Sequence, residues 1–277
     1  MSYPTTFPLA ATGSEQILTL TNPKPHLWII ELHNGADNRL TAALIDGALQ
    51  PALDVVEKAW RERWRSAQEV KGKEGGKGAL IIVGRRSQDK FFSNGFEYES
   101  VVSNPNWFNQ TANPFLARLL TFPSIPTIAA INGHCFAAGM MLSLACDYRV
   151  MTDGSKRNAW MTMNEIHFGA PWPLSFAALM RTKVTDAATQ RKIALEGHRF
   201  TPKEALAAGI LDHIVEGNTA AVLAKAEEVA ETVSPLAREG VWGIIKTDLH
   251  RQALEMMARD PRPVHALIDD AAAKSRL

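Results

Sequence analysis

The sequence predicts an α/β fold followed by a helical C-terminal region, and three observations predict it. Ala79–Val83 is an apolar run with no polar residue, as in a strand buried on both faces. A second β-prone run, Thr127–Ile131, stops at Asn132-Gly133, a strong turn dipeptide. Beyond that turn Ala137-Ala138-Gly139 opens an Ala/Leu/Met-rich helical segment ending near Cys146-Asp147, and Tyr148 to Met151 reads as a further strand. From Lys183 onward the chain is Ala-rich with helical periodicity. A strand, a Gly-containing turn and a buried helix start aim free backbone N–H groups at one point. Downstream, Glu165 stands among apolar neighbours with Gly169 and Pro171 close behind. A donor-rich helix start and one carboxylate in an apolar setting suggest enolate chemistry. A buried strand–helix–strand unit with a surface Glu accounts for the same residues equally well.

In chain order, residues 1–13 are polar with Pro4 and Pro8 and read as a loose arm. Gln16 to Leu20 and Leu27 to Leu32 read as strands joined through Asn22-Pro23-Lys24-Pro25. His33 to Asn38 is a polar loop, and Thr41 caps a helix. Leu44, Ile45, Ala48, Leu49, Ala52 and Val56 give that helix an apolar stripe down to about Arg65, and Pro51 bends or interrupts it. Ser66 to Gly78 reads as a flexible basic loop. It is not a phosphate-binding loop, because Lys71 stands where the first glycine is required and Gly78 where Ser or Thr is required. Pro105 to Leu120 reads as a helix broken at Asn113-Pro114. Beyond Lys183, Ala187 to Leu195 is helical, and Thr201-Pro202-Lys203-Glu204 is a helix start with a Thr cap, Pro in the first turn and an acidic residue behind it. Gly209 ends that helix, Ile210 to Val215 is extended, and Ala220 to Val233, Ala237 to Arg259 and Val264 to Ala273 are amphipathic helices.

The totals exclude several classes. A net charge of +1 gives no electrostatic reason to expect nucleic acid as a partner. The two cysteines, Cys135 and Cys146, cannot build a disulfide framework and read as reduced, buried thiols. No apolar run approaches the roughly 18–20 residues that span a bilayer, and no basic region followed by an apolar stretch marks a secretory signal, so a soluble intracellular protein is expected. No His, Cys, Asp or Glu pair has zinc or di-iron spacing, so no metal is expected. No G-x-G-x-x-G occurs, so neither NAD nor FAD is expected.

The string AINGHCFAAGMMLSLACDYRVM resembles the signature segment of the crotonase (enoyl-CoA hydratase/isomerase) superfamily. FFSNGFE, Phe91 to Glu97, resembles the family's F-S-x-G-x-D/E segment. Asn164-Glu165 followed by Gly169, Pro171 and Trp172 is similar to the monofunctional Δ3,Δ2-enoyl-CoA isomerases. The three landmarks stand in family order, and the resemblance covers about residues 14–270.

The resemblance implies a spiral of β-β-α units forming an acyl-CoA-binding core over residues 1–200, then a helical region over residues 201–277 that makes trimer or hexamer contacts. It implies two backbone donors for a thioester oxygen, the N–H groups of Phe96 and Ala138, and one catalytic carboxylate, Glu165. It places Ser93, Asn94, Gly95 and Glu97 at the substrate. Asn38-Arg39-Leu40 stands where the family holds the CoA nucleotide, so Arg39 meets a phosphate or is a lone surface arginine. Trp172 lines the acyl tunnel or packs in the core. His134 is a turn-side histidine with no acid–base role. The position of the first hydratase carboxylate is occupied by Met141, and that of the second acid of dienoyl-CoA isomerases by Pro173. One carboxylate suffices to move a proton from C2 to C4 of a 3-enoyl thioester, so a 3-enoyl-CoA to 2-trans-enoyl-CoA isomerase of fatty-acid β-oxidation is expected, with no cofactor beyond the CoA of the substrate. An enoyl-CoA hydratase or another acyl-CoA enzyme of the family, and a non-catalytic CoA-binding scaffold, are the alternatives. Ser275-Arg276-Leu277 resembles the S-K-L address, which implies a peroxisomal import receptor as a partner and the peroxisome as the location.

Overall fold

A computed structural model describes residues 2–8, 15–70, 72, 75–259 and 264–276. The chain opens with β1 (Thr5–Phe7), β2 (Leu18–Lys24) and β3 (Leu27–Leu32), an antiparallel meander. The start of the expected loose arm is therefore a strand. Phe7 is fully buried and pairs with Leu18, and β1 is the sheet edge, where flanking prolines leave no ladder bond unmade.

A short helix, α1 (Ala42–Leu44), follows, capped by the Thr41 hydroxyl, which accepts from Leu44 N at 3.1 Å. A wide turn over Ile45–Leu49 leads into α2 (Gln50–Glu69). Pro51 stands in the first turn of α2, so the widened bonding falls just before the residue that has no N–H to give and no room for the preceding carbonyl. The same device recurs later. A wide turn at Phe108–Ala112 runs into α4 (Asn113–Leu120) with Pro114 in its first turn, so Asn113-Pro114 starts a helix where the sequence reads as a break. The expected flexible loop at 66–78 is partly the end of α2. Its far end is tied down by Trp60 Nε1 donating to Gly76 O at 3.2 Å and Gly78 N donating to Ser234 O at 3.1 Å.

From there the chain alternates between two sheets. β4 (Ala79–Val83) enters a large sheet and β5 (Phe91–Ser93) a small one, followed by α3 (Tyr98–Ser103) and α4. β6 (Thr127–Ile131) and β7 (His134–Phe136) repeat the step before α5 (Ala138–Ala145). β8 (Tyr148–Thr152) and β9 (Met161–Thr162) repeat it again before α6 (Leu174–Lys183). The large sheet runs β1-β2-β3-β4-β6-β8 and ends on a strand at His213–Val215, β10, while the small one runs β5-β7-β9, parallel within each stack of repeats. This is the expected spiral of β-β-α units. Asn132 carries one of the transfers: its Oδ1 accepts from Gly84 N at 3.1 Å, and its Nδ2 donates to Thr219 Oγ1 at 3.0 Å and Arg85 O at 3.2 Å.

After α6 come α7 (Ala187–Ala194) and α8 (Pro202–Ala207), the latter starting at the predicted Thr201 cap, with Glu204 completing a full capping box. β10 (His213–Val215) then joins the large sheet beside β8, and α9 (Thr219–Val233) crosses its back. Strand periodicity explains both faces. Trp28, Ile30, Leu80, Ile82 and Ile131 enter the main core, while their neighbours Ile29, Ile81, Val83, Ala130 and Val150 meet Val222, Ala226 and Val229 of α9. The continuous apolar runs are thus buried from both sides. The expected single helix over 237–259 is two, α10 (Trp242–Leu249) and α11 (Arg251–Ala258), parted at His250, before α12 (Ala266–Lys274). Ser275 and Arg276 are exposed, and Leu277, the last residue of the expected address, lies outside the described residues.

The Cys-Asp-Tyr-Arg string has a structural job. Asp147 Oδ2 accepts from Thr127 N at 2.9 Å and from Lys246 Nζ at 3.0 Å, while Arg149 Nε donates to Ile210 O at 2.7 Å. These contacts join the two core strands to α10 and to the lead-in of β10.

Candidate active site

Two glycines let two backbone segments meet. Gly95 has φ +82°, and a Cβ there would lie 2.8 Å from Ala137 Cβ and 3.1 Å from Ala138 N. A Cβ on Gly139 would lie 2.5 Å from Ser93 O. The segment after β5 is thereby pressed against the first turn of α5. Ala137 turns the chain into that helix with φ 51° and ψ −128°, a conformation that strains any residue with a Cβ. Among the described residues, neither the Phe96 nor the Ala138 N–H is paired with a protein acceptor. Both residues line one cavity of about 800 Å³. The N-terminal dipole of α5 adds positive potential at the same place.

The other side of the 93–96 segment is fastened by the loop before α1. Leu40 N donates to Gly95 O at 2.8 Å and Asn94 N to Asp37 O at 2.9 Å. Arg39 Nη1 donates to Asn94 O at 3.2 Å and Phe96 O at 3.1 Å, and its Nε pairs with Asp37 at 2.9 Å. Arg39 thus holds the peptide on either side of the Phe96 amide. Arg39→Ala is expected to lower stability by about 1 kcal/mol, since the group is partly exposed, and to reduce turnover more than it lowers the melting temperature, which thermal melts and steady-state assays check.

Glu165 arrives through the small sheet. β9 pairs with β7 in parallel, Phe136 opposite Thr162, so the chain leaving β9 passes the start of α5. Glu165 opens a single tight turn, Glu165–Phe168, which Gly169 reverses at φ +72° and Ala170 N closes by donating to Glu165 O at 3.1 Å. The side chain is 8% exposed, and Trp172 Nε1 lies 3.4 Å from its Oε2. Burial holds the carboxyl above the ordinary carboxylate range, opposed by its own backbone N–H and by the indole N–H. Among the described residues, Glu165 is the one carboxylate on the cavity wall.

The rest of that wall is mainly apolar and aromatic. Phe96, Phe108 and the neighbouring pair Trp172 and Phe176 come from three separate segments, with Phe96 and Phe176 stacked at 5.9 Å. Tyr98 and Phe168, both exposed, meet edge to face at 5.9 Å, and Ile268 of α12 reaches the same cavity.

Of the residues singled out in the sequence, Arg39, Asn94, Phe96, Ala138, Glu165 and Trp172 line the cavity. Ser93, Gly95 and Glu97 do not line it. Ser93 is fully buried and donates to Asn38 O at 2.7 Å, Gly95 supplies the close approach to α5, and Glu97 is exposed and takes the Ser100 hydroxyl. His134 stacks on Trp160 at 4.9 Å, accepts from Trp160 N at 3.2 Å, and is held below the ordinary histidine range by burial. Sequence reasoning named Asn164 and Ala137 only as parts of their motifs and passed over Phe108 and Phe176. The last two carry no local signal, because they reach the cavity by long-range packing.

Cys135 and Cys146 are fully buried, and burial pushes both thiols up to about 12. Neither is expected to react with iodoacetamide in the native protein over hours, and both are expected to react in denaturant, as mass spectrometry will show. Among the described residues no three metal-ligating side chains cluster, and no helix is long and apolar enough to cross a membrane.

Two sheets threaded alternately by a rising chain, with a helix N-terminus facing the cavity between segments, make this the crotonase fold. The family model for enoyl-CoA hydratase/isomerase matches residues 72–273, and the chain belongs to that family. It is 31% identical over 189 residues to enoyl-CoA delta isomerase 3 of Arabidopsis thaliana, covering 65% of this chain and 77% of that one. It is 30% identical over 196 residues to the peroxisomal enoyl-CoA delta isomerase 2 of the same plant, covering 67% and 79%. Among solved structures, a probable enoyl-CoA hydratase from Mycobacterium tuberculosis H37Rv superposes with a TM-score of 0.66 at 24% identity, over 94% of this chain and 97% of that one. An enoyl-CoA hydratase/isomerase family protein from Pseudomonas syringae gives 0.69 at 21%, over 94% and 96%. At these identities the structures speak for the fold. The chain is a crotonase-family enzyme.

Proposed function

We propose that this enzyme isomerises 3-enoyl-CoA to 2-trans-enoyl-CoA, with Glu165 as the only proton shuttle. The observation that carries the reading is that, among the described residues, one carboxylate lines a cavity shared by two residues whose N–H groups have no protein acceptor. Met141, where the family's hydratases place a carboxylate, is fully buried and off the cavity wall, and Pro173 occupies the position of a second acid. Removing a proton from C2 of a 3-enoyl thioester leaves a dienolate with negative charge on the thioester oxygen. The Phe96 and Ala138 N–H groups donate to that oxygen. Glu165, now a carboxylic acid, returns the proton at C4, and the double bond settles between C2 and C3. Electrons and atoms balance within the substrate, so the reaction calls for no cofactor beyond the CoA it carries.

The elevated proton affinity of Glu165 suits both halves of this cycle, because a base that is too weak cannot take the proton and one that is too strong cannot return it. The names of the plant relatives support the same reading. We also propose peroxisomal localisation, supported by Ser275-Arg276-Leu277 and by the peroxisomal names of two relatives. We propose assembly into trimers or hexamers through residues 201–277, because Ile244, Ile245 and Leu249 of α10 are each at least 60% exposed.

The test is a two-substrate assay of the purified protein. Conversion of 3-enoyl-CoA should exceed hydration of 2-enoyl-CoA by at least tenfold. Faster hydration would replace this reading with a hydratase, and CoA-thioester binding with no turnover of either would replace it with a scaffold.

A further inference from the structure

The indole of Trp172 joins the acyl-binding wall to the carboxylate, and it is fixed from several directions. Pro171 and Pro173 flank it and limit its backbone. Pro173 then caps α6, one turn into which Phe176 meets the indole edge to face at 6.2 Å. Phe176 is 3% exposed and stacks in turn on Phe96, a cavity-lining residue whose own N–H has no protein acceptor among the described residues. Phe96 also packs edge-on against the fully buried Trp107 at 5.3 Å. A line of rings therefore runs from the residue bearing one donor amide, through Phe176, to the indole that touches Glu165. The Nε1–H of that indole points to Oε2 of Glu165 at 3.4 Å, a long hydrogen bond of the kind that tightens when a ligand compresses the site.

We propose that Trp172 is a positioning residue for the isomerisation: its indole N–H holds Oε2 of Glu165, leaving Oε1 to carry the proton from C2 to C4, and its ring ties that orientation to the acyl group packed against it. The inference rests on the reading of Glu165 as the shuttle. C2 and C4 of a dienolate are a 1,3-related pair on one face, so a single oxygen held between them serves both without rotation of the carboxylate. An acyl chain lying on the indole presses it toward Glu165, so that filling the pocket and ordering the base are one event. Short-chain substrates, which leave the indole uncovered, then lose kcat as well as KM. The N–H also favours the ionised carboxylate, opposing the effect of burial.

The experiment compares the pH dependence of kcat/KM for wild type, Trp172→Phe and Trp172→Leu, with Glu165→Gln alongside. Trp172→Phe keeps an aromatic ring and removes the donor. Its acidic limb is expected to move to higher pH by about half to one unit, the size suited to a long hydrogen bond to a charged group, and its plateau kcat to fall several-fold. Trp172→Leu should show the same direction of shift with a larger rise in KM, because the ring contact is gone too. A limb unmoved in both variants, with activity lost uniformly across pH, would overturn the positioning role. If Glu165→Gln is inactive in that same set, the shuttle assignment survives the loss. Turnover persisting in Glu165→Gln would overturn the shuttle assignment and this inference together.

Discussion

Replacing Glu165 with Gln is expected to lower isomerase turnover by about 10²–10⁴, the range that a positioned acid–base group contributes. KM should change little, because Gln has nearly the same shape and the cavity wall is otherwise untouched. The variant also carries a stability signature. The folded protein holds the Glu165 carboxyl above the ordinary carboxylate range through burial. A carboxyl whose folded affinity for the proton is raised supports the fold while protonated and loses that support as pH rises through its folded value. At neutral pH, then, the ionised group weighs against folding, and Gln does not. Glu165→Gln should melt at a higher temperature than wild type near pH 7.5, with the difference shrinking as pH falls into the ordinary carboxylate range. A variant that is both less active and more stable is what a strained functional group predicts. Differential scanning fluorimetry across pH, paired with steady-state rates, reads both effects. A fully active variant, or one melting lower at neutral pH, would count against the assignment.

The second large effect is expected at Gly95. With φ +82° and 2.8 Å between a new Cβ and that of Ala137, Gly95→Ala cannot keep the present backbone. The strain alone is worth about 1–3 kcal/mol. Relief requires the 93–96 segment to draw away from α5, which separates the Phe96 amide from that of Ala138. Losing one such donor typically lowers a rate by about 10²–10³, so the folded fraction of Gly95→Ala should show a fall of that order in kcat beyond its loss of stability. Both quantities come from one preparation, by melting and by active-site-normalised assay. Native stability with undiminished kcat would mean that the junction tolerates the change and that the paired amides are not where the charge develops.

Much of this architecture is legible in the sequence for identifiable reasons. The apolar runs of β4 and β6 stand out because α9 covers the face that would otherwise need polar residues. Asn132-Gly133 announces a turn, since Asn132 bonds back across the transfer between sheets and a Cβ on Gly133 would lie 2.6 Å from Lys90 O. Thr201–Glu204 announces a helix start through purely local bonds. What the sequence concealed is non-local. β1 looks like a loose arm because its prolines are harmless only at a sheet edge, and edge position is a property of the assembled sheet. The wide turns before Pro51 and Pro114 keep helices running where local rules stop them. Ser93 reads as a substrate contact, yet it is buried because Gly139 admits α5 directly onto it.

Of the candidate site, Phe96, Ala138, Glu165 and Trp172 were named through their motifs, whereas Phe108 and Phe176 of the aromatic wall were not. Phe96, Phe108 and the Trp172–Phe176 pair are separated in the chain by stretches that carry no periodic signal linking them. They converge only because the spiral stacks β9 beside β7 and lays α6 across α5.

The central claim is that one carboxylate takes the proton from C2 and delivers it to C4, and isotope transfer tests it most directly. A 3-enoyl-CoA carrying deuterium at C2 would be converted in a single turnover in ordinary water, and the product examined by mass spectrometry and proton NMR. The account predicts deuterium at C4 well above the solvent-derived background, because Glu165 is buried among apolar side chains and holds the label between the two steps. A C4 hydrogen drawn wholly from solvent, with all the label released to water, would contradict a Glu165 that keeps the same proton between the two steps.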